Sequence, residues 1–193
     1  MKKVGLFFGS FNPIHIGHLI LANHFVEQTD LKEVWFVVTP QNPFKLKQSM
    51  LDNRQRLELV YRACEHYTKI HPSDIEFNLP TPNYTVDTLV RLKEKHPTHQ
   101  FKLLVGRDNL QRFHKWKNHE IILKEYGLFV YPRKVDDPIP DYLQDHPNVQ
   151  FTEAPEINIS SSSIRKQLKA GQNVRPLMPY DSWLYLDEMN FYK

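Results

Sequence analysis

Val4-Gly5-Leu6-Phe7-Phe8-Gly9 runs into Ser10-Phe11-Asn12-Pro13-Ile14-His15-Ile16-Gly17-His18, and Leu19-Ile20-Leu21-Ala22 follows at once. The first run is short, apolar and closed by glycine, and it reads as a buried strand. The run after the turn reads as a helix. The join therefore sets a glycine, a hydroxyl, an asparagine, a proline and two histidines at a helix N-terminus. Free N–H groups and partial positive charge make such an end a seat for phosphate. His15 and His18, three positions apart, fall on one face of a first helical turn. Gly17 between them carries no side chain to hold a ligand off the backbone. The turn suits a triphosphate, with Gly9, Ser10 and Phe11 beside it and imidazole N–H groups as donors. Two common nucleotide loops are missing: there is no G-x-x-x-x-G-K-[ST], and no G-x-G-x-x-G at the first turn. A zinc pair on a helix is spaced H-x-x-x-H with further ligands, and the chain holds one cysteine, so no protein-held metal is expected.

Outward from this turn the elements alternate. Strand-like runs are Val4–Gly9, Val34–Thr39, Phe101–Val105 and Leu128–Tyr131, with Val149–Thr152 a shorter one. Helix-like runs are His18–Gln28, Asn53–His66, Val86–Lys95, His119–Lys124 and Ser162–Ala170. Asp52 and Gln55 are spaced as an N-cap and its N3 partner, and Gly171 closes the last helix. Alternation with short joins predicts an α/β fold. The expected form is Rossmann-like and doubly wound, a mostly parallel sheet with helices on both faces. Ligands of such sheets bind outside the carboxyl ends of the strands, where the histidine turn lies. Three joins are long or proline-rich: Pro40 to Leu51, His71 to Tyr84 and Pro132 to Pro147. Loops of that length are often binding loops, though the third reads better as passive surface.

At 193 residues the chain is expected to be a single domain, 1–193. Hydrophobic residues at 40% and charged residues at 24% are ordinary for a water-soluble globule. No apolar stretch reaches a membrane span, and no secretory cleavage pattern follows Met1-Lys2-Lys3. Cys64 has no partner for an internal disulfide, which fits a reducing, cytoplasmic setting. A net charge of +3 fits small anionic ligands and is too weak and too scattered to argue for nucleic acid.

A second anion site is written in Ile159-Ser160-Ser161-Ser162-Ser163-Ile164-Arg165. One of Ser160 to Ser162 should cap the helix that follows. Helix side chains lean back towards the N-terminus, so Arg165 reaches over the helix start from three residues past Ser162. Hydroxyls, free N–H groups and a guanidinium with paired donors then converge on one anion.

H-x-G-H followed by I-S-S-S-S-I-R resembles the adenylyltransferase branch of the nucleotidylyltransferase superfamily. Tyr84-Thr85-Val86-Asp87-Thr88-Leu89 is similar to the Y-T-[IV]-D-T-L segment of bacterial nicotinate mononucleotide adenylyltransferases. Gly106-Arg107-Asp108 with Trp116 is similar to their G-x-D … W stretch, and Asn42-Pro43-Phe44-Lys45 to their N-P-H-K loop. Arg175-Pro176-Leu177-Met178-Pro179 fits the run near their end. The likeness spans nearly the whole chain, in order. Departures are Phe8 for the first glycine of the family's turn, Ser10 for its threonine, Asn12 for its aspartate and Phe44 for a histidine.

The resemblance implies transfer of AMP from ATP to nicotinate mononucleotide, with Mg²⁺ carried by the ATP phosphates. His15, His18 and Arg165 would be catalytic. Gly9, Ser10, Phe11, His15, Gly17, His18, Gly106, Asp108, Ile159, Ser161, Ser162 and Arg165 would bind ATP. Asn42, Lys45, Tyr84, Thr85, Trp116 and Arg133 would bind nicotinate mononucleotide. Thr85 reads as an N-cap whose helix start could accept the nicotinate carboxylate. Trp116 could stack on the cationic pyridinium. Nicotinamide mononucleotide or another phosphorylated acceptor is the alternative on the same fold. A nucleic-acid-binding protein is disfavoured by the scattered charge, and a dehydrogenase by the missing glycine fingerprint. Neither nucleic acid nor membrane is an expected partner, and a homo-oligomer is left open.

Overall fold

The computed structural model describes residues 1–41, 50–134 and 138–193. Six parallel strands form one sheet in the order β3-β2-β1-β4-β5-β6. They are β1 Lys2–Gly9, β2 Glu33–Val38, β3 Ile70–Ser73, β4 His99–Gly106, β5 Leu128–Tyr131 and β6 Val149–Phe151. The helices are α1 Ile16–Gln28, α2 Asn53–Cys64, α3 Thr85–Lys95, α4 Arg107–Leu110, α5 His119–Glu125, α6 Asp141–Gln144, α7 Ser161–Lys169 and α8 Tyr180–Glu188.

Side chains alternate across the strands and sort into two cores. Phe7, Phe36, Val38, Leu104 and Phe129 pack with Leu21 and Phe25 of α1, Leu59 and Val60 of α2, Ile164 of α7 and Leu186 of α8. Val4, Leu6, Val37, Leu103, Val105 and Val130 pack with Val86, Leu89 and Leu92 of α3, Leu110 of α4, Ile122 of α5 and Leu143 of α6. The sheet is thus wound on both faces, as expected, and its parallel pairing is complete.

The expected strands and main helices form, with bounds shifted by at most two residues. Asp52 and Gln55 make the predicted capping box, and Gly171 adopts the left-handed φ of 69° that closes α7. Four elements were not foreseen: β3, the short helices α4 and α6, and α8. β3 contains Pro72, which a strand tolerates at a sheet edge, and β3 is an edge. α8 buries a serine, Ser182, beside Leu186 while exposing Tyr180 and Leu184, so its apolar stripe is blurred. The join at 132–147, expected to be passive, contributes α6 and Arg133.

Strand order runs outward in opposite directions from β1 and β4, the first strands of the two halves. Their carboxyl ends open the crevice where such sheets hold ligands. Gly9 and the histidine turn leave one side of it, and Gly106 leaves the other.

Candidate active site

His15 is the N-cap of α1 and His18 its third residue. The His15 backbone N–H donates to His18 Nδ1 at 3.1 Å. That bond makes Nδ1 an acceptor, so the neutral His18 ring carries its proton on Nε2. The two imidazoles stack with centroids 3.7 Å apart. Phe7 and Phe11 meet the His18 ring edge to face, at 5.7 and 5.1 Å. A ring so enclosed has little freedom to turn.

The glycines of this region also make room for neighbouring chain. A Cβ on Gly9 would lie 2.8 Å from the Phe11 ring, so Gly9 makes room for Phe11. Phe11 takes a left-handed φ of 44° and is buried against Phe7, Phe36 and His18. A Cβ on Gly17 would lie 2.5 Å from Ile157, so Gly17 admits the chain that precedes α7. Ser10 offers its carbonyl to the buried guanidinium of Arg56 at 2.5 Å. Arg56 also donates to the carbonyls of Thr39 and Leu51, which fastens the start of α2 to the turn.

His15 is buried, and its Nδ1 has no hydrogen-bond partner among the described residues. Burial chiefly, and the nearby Arg133 cation next, push its pKa down to about 4. The ring is neutral at pH 7.

Ser160 is the cap of α7, and its hydroxyl accepts the Ser163 N–H at 3.1 Å. Ser161 Oγ donates to the Pro13 carbonyl at 2.8 Å. Arg165 leans back as expected: Nη1 donates to the Asn12 carbonyl at 2.7 Å and Nη2 to Ser162 Oγ at 3.3 Å. The serine run is therefore docked on the histidine turn, although Ser161, Ser162 and Arg165 are not among the described residues lining the cleft beside it. His15, Gly17, His18, Ile159 and Arg133 line a common cleft. Arg133, expected with the acceptor, lies on this side. It pairs with Asp108 at 3.1 Å across from β4. No carboxylate lines this cleft among the described residues. The one grouping of three metal-capable side chains among them, Glu65, His66 and Asp181, borders neither cleft.

A larger cleft adjoins the first, and Phe7 and Tyr131 border both. It holds about 740 Å³ of space, counting the part open to solvent. Tyr84, Thr85, Trp116 and Gly106 line it, joined by Phe8, Asn83, Asn109, Lys117 and the buried Glu76. Thr85 is not the cap of α3: Tyr84 is, with its carbonyl accepting from Asp87 and Thr88, and no side chain caps the start. The preceding Asn83 is drawn back to the Glu76 carbonyl at 3.2 Å, which leaves Tyr84 in the extended cap position. Lys117 lies 4.8 Å from the centre of the Tyr84 ring and pairs with Asp87 at 2.9 Å, so the acid of that first turn is neutralised. Trp116 packs on Phe113 at 5.4 Å and still faces the cleft. Burial raises the Glu76 carboxyl, while the Thr88 hydroxyl, 2.6 Å away, works the other way. Asn42 and Lys45 lie outside the described residues.

The cytidylyltransferase-like family model matches residues 6–167. A relative from Christiangramia forsetii named a probable nicotinate-nucleotide adenylyltransferase is 56% identical over 100% of this chain and 99% of its own. One of the same name from Flavobacterium johnsoniae is 54% identical over 99% of each. The chain belongs to the nicotinate-nucleotide adenylyltransferase family. A solved Plasmodium falciparum nicotinic acid mononucleotide adenylyltransferase, complexed with NaAD, shares its fold at a TM-score of 0.81. That match covers 100% of this chain and 98% of the other at 21% identity.

Set in this adenylyltransferase family, the departures from its turn have clear places. Phe8 faces the larger cleft, opposite in strand alternation to Phe7, and so does not crowd the histidines. Asn12 serves as a hydrogen-bond acceptor on its side-chain oxygen, from the Leu51 N–H at 3.2 Å. Phe44 lies outside the described residues. Lys117, Asn83, Asn109 and Glu76 were missed by sequence reasoning. Lys117 adjoins Trp116 and could have been marked from that neighbour, whereas Glu76 carries no local signal.

Proposed function

We propose that this adenylyltransferase-family protein transfers AMP from ATP to nicotinate mononucleotide, giving deamido-NAD and pyrophosphate. The observation that carries the proposal is the pairing of clefts. One is lined by His15, His18 and Arg133 beside the docked start of α7, and the other has an aromatic wall and a helix start with no side-chain cap, with Phe7 and Tyr131 between them. Triphosphate suits the first, and a pyridine nucleotide acid suits the second. The full-length relatives named for this reaction support the same reading.

In the proposed step a phosphate oxygen of nicotinate mononucleotide attacks the α-phosphorus of ATP. A new P–O bond forms, the bond from the α-phosphorus to the β-phosphate bridge oxygen breaks, and pyrophosphate leaves with the electron pair. The attacking phosphate is already ionised, so no general base is needed. Positioning and charge neutralisation then make up the catalysis. His18 would direct its Nε2–H at the α-phosphate, where charge builds. His15, a neutral donor, would hold the α- or β-phosphate oxygens. Ser162 and Arg165 would hold the β/γ end and the departing pyrophosphate. Mg²⁺ would enter on the nucleotide and neutralise phosphate oxygens, which fits a cleft bordered by histidines and arginine without carboxylates. Gly106, Asp108 and Ile159 would serve the nucleoside end of ATP.

For the acceptor, the N–H groups opening α3 would receive the nicotinate carboxylate, with Lys117 offsetting the Asp87 charge of that turn. Trp116 and Tyr84 would bracket the pyridinium. Lys45 and Asn42 are proposed for its phosphate, and Arg133, given its place, for phosphates of either substrate.

The test is label transfer. With ATP labelled at the α-phosphate, label should appear in a dinucleotide only when nicotinate mononucleotide is present, while label at the β and γ positions should leave as pyrophosphate. Label released as free AMP at the same rate without acceptor would overturn the assignment.

A further inference from the structure

Tyr192 is far from the histidine turn in sequence and touches it directly. Its hydroxyl donates to the side-chain oxygen of Asn12. The same oxygen accepts the Leu51 N–H at 3.2 Å, and the Asn12 carbonyl accepts Arg165 Nη1 at 2.7 Å. Asn12 thereby gathers the turn, the entry to α2, the first turn of α7 and the chain beyond α8. The backbone of Tyr192 has a φ of 67°, a left-handed conformation that tyrosine seldom adopts. Asn190 is also left-handed, at 52°. Between them Phe191 is buried, packed edge to face on Tyr185 at 5.4 Å. Strain of this kind persists only where surrounding structure enforces it, and it gathers at functional sites. Here it turns a phenol inward onto the loop that precedes His15. Burial holds that phenol well above its usual pKa, so it remains a donor.

We propose that Tyr192 is a positioning residue of the nucleotide site, holding Asn12 and with it the turn that presents His15, His18 and Arg165 to the ATP phosphates. Nothing in its sequence neighbourhood, Asn190-Phe191-Tyr192-Lys193, marks it for such a role. For its kinetic readout the role rests on adenylyl transfer to nicotinate mononucleotide; for its binding readout it needs only ATP.

Tyr192→Phe removes the hydroxyl and keeps the ring. A small displacement of a preorganised phosphate site costs rate steeply, so kcat/KM for ATP should fall about tenfold, with Mg-ATP affinity down about fivefold. KM for nicotinate mononucleotide should stay within about twofold, because Asn12 is not among the described residues that line the acceptor cleft. Tyr61→Phe, on the exposed face of α2, should behave as the unaltered protein. Added to Asn12→Ala, Tyr192→Phe should change little further, since the bond is already gone. Unchanged ATP affinity and kcat/KM in Tyr192→Phe would overturn the role. So would equal losses for both substrates that track a fall in melting temperature, or additive effects in the double variant. If the unaltered protein failed to use nicotinate mononucleotide while Tyr192→Phe still weakened Mg-ATP binding, the acceptor assignment would fail and the positioning role would stand. Absence of Mg-ATP binding by the unaltered protein would overturn both.

Discussion

His18 is held by a backbone donor on one ring edge and by phenylalanine rings around it, so its own substitution should alter chemistry more than folding. His18→Ala should lower kcat about 10²–10³-fold, the usual loss of one charge-stabilising donor. Steady-state assay with melting curves checks this, and near-normal turnover in a folded variant would remove His18 from its role. His15 gives a pH prediction. Its folded pKa of about 4 lies below the unfolded value of 6.5. Above pH 6.5 both states are neutral and His15 leaves stability unchanged. As the pH falls from 6.5 towards 4 the unfolded chain binds the proton first, so stability declines, by up to about 3 kcal/mol. Urea unfolding between pH 7 and pH 4.5 should show this slope in the unaltered protein and a shallower one in His15→Asn. Phosphate beside the ring favours its charged form, so Mg-ATP binding below pH 6 should take up protons, which calorimetry in two buffers reads directly. The histidines, Arg165 and the serine run stood out in the sequence because helix starts have few chemical solutions for phosphate, and the structure brings them together. The partners that hold them were not. Arg56, Phe11 and Tyr192 act through contacts up to 180 positions apart in the chain, and no local pattern encodes those.

Elements were legible where one period ruled. β5 is apolar and buried throughout, β1 is so along its middle, β2 and β4 become so towards their carboxyl ends, as buried parallel strands do, and α3 has a clean buried stripe of Val86, Leu89 and Leu92. β3 was hidden by Pro72. α8 was hidden because its buried face combines Ser182, hydrogen-bonded to the Leu59 carbonyl at 2.7 Å, with Leu186. That helix nonetheless seals α2 against the sheet. Leu186→Ala, at a fully buried position, should destabilise the protein by about 2–5 kcal/mol. Denaturant titration decides it, and a loss within about 0.5 kcal/mol, the scatter of ordinary surface substitutions, would show that α8 packs less firmly than drawn. The cap of α3 slipped by one residue from the sequence expectation, from Thr85 to Tyr84. Threonine is a favoured cap by propensity, but the tie from Asn83 to the Glu76 carbonyl sets the entry of the chain and overrides it.

At the scale of the molecule, the strand order sets the function's geometry. With β1 and β4 adjacent and their connections leaving in opposite directions, the crevice between them receives the histidine turn from one side and the Gly106 turn from the other. The docking of α7 on that turn then closes the end proposed for phosphate, and α3 with the Trp116 segment closes the end proposed for the acceptor. No helix among the described residues is long and apolar enough to cross a membrane. The central claim is that this second cleft reads an acid through an uncapped helix start. The measurement that tests it most directly is pyrophosphate release from Mg-ATP with nicotinate mononucleotide, nicotinamide mononucleotide and phosphopantetheine compared side by side. The account predicts rapid release with the nicotinate form, at least about tenfold slower release with the neutral amide, which forgoes a charge-assisted contact, and none with phosphopantetheine. Equal rates with acid and amide, or preference for phosphopantetheine, would contradict it.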